Sequence, residues 1–218
     1  MNNKNNISYD TKPGGKDFIN IGIFTVIFLI LFMVGIMVMS MSIYTLPFGV
    51  AVGSFIGAPV YMLLRSKAPK RFVIILFGIL FGLVMFAMGS GWPILACVVF
   101  GAVLAELISG SGHYQSYIHE TVGYCVLMVS TACGSYMPFI FMRDYYLKLS
   151  EKNSIDGKFM ASLLEFINGP YIILALAVTA VISVLGAIVA RTIIKKHLVK
   201  AGIVRETKDC RGRRIAYV

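Results

Sequence analysis

FINIGIFTVIFLILFMVGIMVMSM, Phe18 to Met41, runs for 24 residues without a charged side chain. A hydrocarbon core of about 30 Å needs roughly 20 apolar residues in a helix, so this stretch crosses a bilayer with some tilt. Further apolar runs follow at about Tyr44–Leu64, Phe72–Met88, Ile94–Ile108, Thr121–Met142 and Tyr171–Ala190. The expected fold is therefore an all-α integral membrane protein, with six transmembrane helices in one compact bundle. Pro47 near the start of the second run and Pro170 just ahead of the sixth sit where a missing N–H costs little.

Composition agrees: 58% of the 218 residues are hydrophobic, 14% are charged, and the mean hydropathy is +0.81. Little chain is left for a soluble catalytic domain. The expected organisation is a polar N-terminal tail (1–17), a membrane domain (18–191) and a basic tail (192–218). The N-terminal tail has no apolar core and does not read as a signal peptide. Between the fifth and sixth runs, 143–168 mixes charges with Phe159, Leu163 and Phe166 on one helical face, as an amphipathic helix on the membrane surface would. Cys97, Cys125 and Cys133 fall inside runs and Cys210 in the tail, with no metal or disulfide spacing.

The formal net charge is +10, and its distribution points to orientation rather than nucleic acid. With six spans, both tails and the loops after spans two and four share one side, which holds 16 of the 20 Lys and Arg residues. The other side has Arg143, Lys148, Lys152 and Lys158 amid four acidic residues. Both termini are expected in the cytoplasm of a bacterium, with the protein in its plasma membrane.

Small residues mark close helix approaches. Gly49, Gly53 and Gly57 form a GxxxGxxxG ridge, Gly78 and Gly82 a pair, and Gly101, Ala105 and Ser109 a third row. Such a ridge serves packing within the chain or docking of another subunit. Glu106 is the acidic residue deepest in a run, either a functional group or one paired to a nearby hydroxyl or amide. His113 and His119, six residues apart, fit no helical metal pair. The sequence contains no HExxH, GxSxG or Walker-type loop, so an enzyme is not expected and a solute carrier would borrow its drive from a partner.

The expected outer ends are rich in soft and aromatic side chains. Met37, Met41 and Tyr44 follow the first run, Trp92 sits in an outer turn, and Tyr136, Met137 and Arg143 close the fifth. Tyr146, Asn168 and Tyr171 lead into the sixth. Polarizable methionines with aromatic rings suit a flat, largely apolar ligand, and Arg143 suits its carboxylate.

KDFINIGIFTVIF, PFGVAVGSFIGAPVYMLLRSKAPKR and the GSGHYQS loop, together with the six-span length, resemble the Trep_Strep-type membrane proteins over roughly Lys16 to Lys196. These are regarded as substrate-binding S components of energy-coupling factor (ECF) transporters. The resemblance implies capture of a micronutrient near the outer face and docking on a transmembrane coupling subunit driven by two cytoplasmic ATPases. In several S components the first helix docks through an AxxxA pair. This chain lacks it: the small residues of its first span are Gly22, Thr25, Gly35 and Ser40. Gly22 and the Gly49/Gly53/Gly57 ridge are the docking candidates. The implied substrate is vitamin-like or cofactor-like. A tetrapyrrole such as haem is the specific choice, since Met and Tyr can be axial ligands. No intrinsic cofactor is expected. The rival reading is a non-transporting membrane scaffold or regulatory subunit.

Overall fold

The computed structural model describes residues 14–114, 116–136, 138–144, 147–148, 167, 169–194, 196, 206–208 and 214–216. Helix α1 is Gly15–Met39, α2 Gly49–Lys67, α3 Val73–Met85, α4 Trp92–Ser111, α5 Tyr117–Tyr136, α6 Pro138–Phe141 and α7 Gly169–Ile193. A 3-10 turn, Leu46–Phe48, leads into α2, and a π turn, Phe86–Ser90, follows α3. In the basic tail two short strands, β1 (Glu206–Lys208) and β2 (Arg214–Ala216), pair antiparallel with Thr207 opposite Ile215. The all-helical expectation thus describes the membrane domain and not the tail.

Among the described residues, five segments are long and apolar enough to cross a membrane by length and composition: α1, 46–67, 73–90, α4 and α7. Helix α5 has 20 residues but a different surface. Glu120, Thr121, Tyr124 and Thr131 are all buried along it, so its polarity is spent inside the bundle. The expected fifth span, Thr121–Met142, is also divided, because α5 ends at Tyr136 and Pro138 opens the short α6. A proline cannot continue the hydrogen-bond ladder of the helix before it. The expected amphipathic face of Phe159, Leu163 and Phe166 lies outside the described residues.

Contacts run α1–α2–α7–α5–α4–α3 and back to α1, a closed ring, and α2 also meets α5 across its middle. Because lipid tails are as apolar as leucine, packing and internal hydrogen bonds must hold such a ring together. Its centre is aromatic. Phe28 and Phe32 of α1 meet Phe77 and Phe81 of α3, with Phe28 edge-on to Phe77 at 5.1 Å and Phe32 edge-on to Phe81 at 5.2 Å. Tyr61 of α2 lies 4.7 Å from the Tyr124 ring of α5, and the Tyr124 hydroxyl donates to the Ser54 carbonyl at 2.5 Å.

The glycine ridge serves the α1–α2 approach. A Cβ on Gly57 would lie 2.5 Å from the Phe28 ring, and one on Gly53 would lie 2.8 Å from the Phe32 ring and 2.9 Å from its carbonyl oxygen. Gly49 faces Ile36. The three are buried under α1 of the same chain, so the packing alternative describes them. Of the four docking candidates only Gly22 is open, with nothing within 4 Å of an added Cβ. On the other side of α2, Pro59 cannot donate to the Phe55 carbonyl, and there α7 comes close through Gly186. Three buried threonine hydroxyls return to their own helices: Thr25 to Ile21, Thr131 to Leu127 and Thr179 to Ala175. This satisfies them where no water is at hand.

Candidate functional site

The two ends of the ring differ in chemistry. At one end lie the α1–α2 connection, the π turn, the end of α5 and the start of α7; we call it the aromatic end. Tyr171, in the first turn of α7, donates its hydroxyl to the Tyr44 carbonyl at 2.7 Å and meets the Phe48 ring edge-on at 5.9 Å. Tyr136, the last residue of α5, is buried, with its hydroxyl near the Val50 amide in the first turn of α2. Three of the expected ligand contacts, Tyr44, Tyr136 and Tyr171, therefore converge around the start of α2 with Phe48. Pro47 positions this group by starting the 3-10 turn that aims Phe48 at α7.

The remaining expected contacts are placed differently. Met37 and Met41 are 70% and 88% exposed, Trp92 is half-exposed in the first turn of α4, and Arg143 is exposed beyond α6. Met137, Tyr146 and Asn168 lie outside the described residues. Chemically, the aromatic end presents ring faces and hydroxyls, with the exposed Arg143 beyond α6.

At the opposite, basic end, carboxylates from three helices hold the turn RSKAPKR, Arg65 to Arg71, and the start of α3 directly after it. Glu120 of α5 takes the Arg65 guanidinium bidentately, at 2.7 and 2.9 Å, with both side chains 1% exposed. The third nitrogen of Arg65 donates to the Ala68 and Lys70 carbonyls. Asp17 of α1 accepts Lys70 at 2.7 Å and also the Gly14 amide. Glu106 of α4 accepts the Phe72 and Ile74 amides at 2.8 and 3.1 Å, capping α3 from another helix. Of the two alternatives for Glu106, amide pairing is the one found.

Strained backbone is held by the same groups. Phe72 has φ 66°, and its N–H is the one that reaches Glu106. His113 and Tyr114 have φ 52° and 56° in the α4–α5 turn. That turn lays the Tyr114 ring 5.5 Å under the Arg65 guanidinium. Burial and the neighbouring Glu106 carboxylate push the Tyr114 phenol above its ordinary range. His119 Nδ1 sits 2.7 Å from the Ser116 hydroxyl. Arg191 of α7 stacks 4.3 Å over the Tyr117 ring.

Sequence reading missed the Arg65–Glu120 pair because it placed both residues in loops. The signal was spacing. Arg65 is four residues after Tyr61, and Glu120 four before Tyr124, so each charge continues the face on which its tyrosine packs. Extending both helices by one turn would have faced the charges across the bundle.

No curated protein and no solved structure matches the chain. A family model does match, over residues 15–200, from the first turn of α1 to beyond the end of α7. The chain therefore belongs to the Trep_Strep family, described as hypothetical bacterial integral membrane proteins, and is itself a multi-pass bacterial membrane protein.

Proposed function

We propose that this protein is the substrate-binding S component of an ECF-type importer, with the aromatic end facing outward and the basic end in the cytoplasm. The observation that carries the reading is the convergence of Tyr44, Phe48, Tyr136 and Tyr171 where three helices begin or end. Ring faces there would cover a flat solute, with Arg143 for its carboxylate. The ligand class is a flat, largely apolar micronutrient or cofactor, and a tetrapyrrole such as haem is the candidate to test first. In this reading α5 is the sixth span. Its buried Glu120 and hydroxyls are shielded by α4, α7 and α2, as polar groups in a membrane must be. The resemblance of PFGVAVGSFIGAPVYMLLRSKAPKR and GSGHYQS to S components supplies the partners: a transmembrane coupling subunit and two ATPases.

Purification from native membranes tests this. Two ATPases and a membrane coupling subunit should accompany the protein, with a small molecule identified by absorbance and mass spectrometry. Recovery of the intact chain in a complex without ATPases would replace the transport reading with the scaffold reading.

A further inference from the structure

The first turns of α1 and the last turn of α2 form a cationic corner at the basic end. Lys70 reaches Asp17 at 2.7 Å and draws the α2–α3 turn against α1. Lys67 lies with its ammonium 5.7 Å over the Phe24 ring. Lys16 and Lys67 are both exposed, and neither has an ion-pair partner among the described residues. The contrast with Arg65 and Lys70, each held by a carboxylate, is local and sharp.

Apolar surface begins directly after Lys16 in α1. Phe18 and Ile19 are 52% and 64% exposed, and the exposed stripe continues through Ile23, Val26 and Ile30 into the span. Two exposed cations, one at the start of α1 and one at the end of α2, beside an apolar stripe that runs into the bilayer match the chemistry of one phospholipid: an anionic headgroup above, an acyl chain below. An acidic protein would answer the charges and leave the stripe unmatched. We propose that Lys16 and Lys67, with Phe18, Ile19 and Phe24, bind an anionic phospholipid. The ammonium groups take its phosphate, and the α1 stripe takes one acyl chain. Lysine suits this role as a compact point charge that needs no planar partner. The site is preorganised, because the Arg65–Glu120 pair fixes the end of α2 and the Phe24 ring lies under the Lys67 ammonium.

The test uses full-length protein reconstituted in an equimolar mixture of phosphatidylglycerol and phosphatidylcholine. Retained lipid is then counted by native mass spectrometry. Phosphatidylglycerol should be enriched, with the preference falling about five-fold in Lys67→Gln and about thirty-fold in the Lys16→Gln, Lys67→Gln double variant, at the few-fold attraction of each basic group near an anionic surface. Both residues are exposed, and an unchanged unfolding midpoint in detergent will show that the variants fold. Arg191→Gln removes one charge from the same end without touching the corner and should leave the preference intact. An equal loss in Arg191→Gln would replace the site with a diffuse field. Displacement by inorganic phosphate alone would make it a phosphate site without a lipid. An unchanged preference in the double variant would overturn it outright.

Discussion

The basic end and the aromatic end are built from opposite materials. At the basic end, Glu120 and Asp17 grip Arg65 and Lys70 of one seven-residue turn, and Glu106 holds the Phe72 and Ile74 amides directly after it. At the aromatic end the tie between α7 and the α1–α2 connection is a hydroxyl–carbonyl bond and a ring edge, beside methionines that touch little of the bundle. Buried charge pairs have one satisfactory arrangement and resist departure from it. Rings and thioethers have many arrangements of similar energy. Rigidity and adaptability are therefore located at different places in this chain: one end fixes the helices, and the other leaves its side chains room to rearrange.

The comparison breaks most visibly at Glu120. Removing its carboxylate in Glu120→Ala leaves the Arg65 guanidinium uncompensated at 1% exposure. The expected loss is about 3–5 kcal/mol, read as a collapse of folded yield and unfolding midpoint in detergent. Replacing both partners, Arg65→Met with Glu120→Leu, should recover much of it. A Glu120→Ala protein of wild-type stability would show that water reaches the pair and that the basic end is not the rigid one.

At the other end the expected effect is on binding. Arg143→Ala should weaken a carboxylated ligand by about 1.5–3 kcal/mol, the range for charge-assisted hydrogen bonds, and leave the unfolding midpoint alone because the side chain is exposed. Affinity of the purified variant decides it, and an unchanged value would move the pocket away from α6.

The glycine ridge sharpens the contrast between filled and open surface. Gly53→Ala places a methyl 2.8 Å from the Phe32 ring and 2.9 Å from its carbonyl oxygen, and should cost about 1–3 kcal/mol by overpacking. Gly49→Ala meets Ile36 at 3.4 Å, an ordinary contact, and should fold well. Gly22→Ala touches nothing. If it folds normally yet loses a partner in co-purification, α1 carries the docking face. Equal stability in all three would sink the packing account of the ridge.

These contrasts were unequally visible in the sequence. The charge-free stretch from Phe18 to Met41 dictated a membrane helix without help from any other segment, since span length follows from hydrocarbon thickness. Gly53 and Gly57 were legible as a close approach but not as to which helix approaches, because a small-residue row records proximity and not the partner's identity. Glu120 was illegible as a buried group. It sits one residue from His119 in a polar stretch, and only the turn of helix that extends α5 to Tyr117 carries it inside. Tyr44, Tyr136 and Tyr171 were expected as ligand contacts at the outer ends of their spans. That they meet depends on the ring placing α7 beside α2, which no local pattern encodes.

The smallest effect tests whether the two ends are independent. Tyr171→Phe keeps the ring edge on Phe48 and removes the hydroxyl from the Tyr44 carbonyl. One neutral hydrogen bond contributes about 0.5–1.5 kcal/mol, and at an exposed position the lower figure applies. Global stability should therefore scarcely move, whereas amide exchange in 40–48 should quicken, because that connection loses a tie to α7. Exchange in α2 near Arg65 should stay at its wild-type rate, since changes more than about 7–10 Å apart without shared partners act independently. Hydrogen exchange followed peptide by peptide gives the answer. Faster exchange confined to 40–48 would establish a rigid end and an adaptable end within one bundle. Faster exchange spreading to the Arg65–Glu120 turn would show that the ends move together, and a solute bound between the tyrosines would then be felt at the basic face.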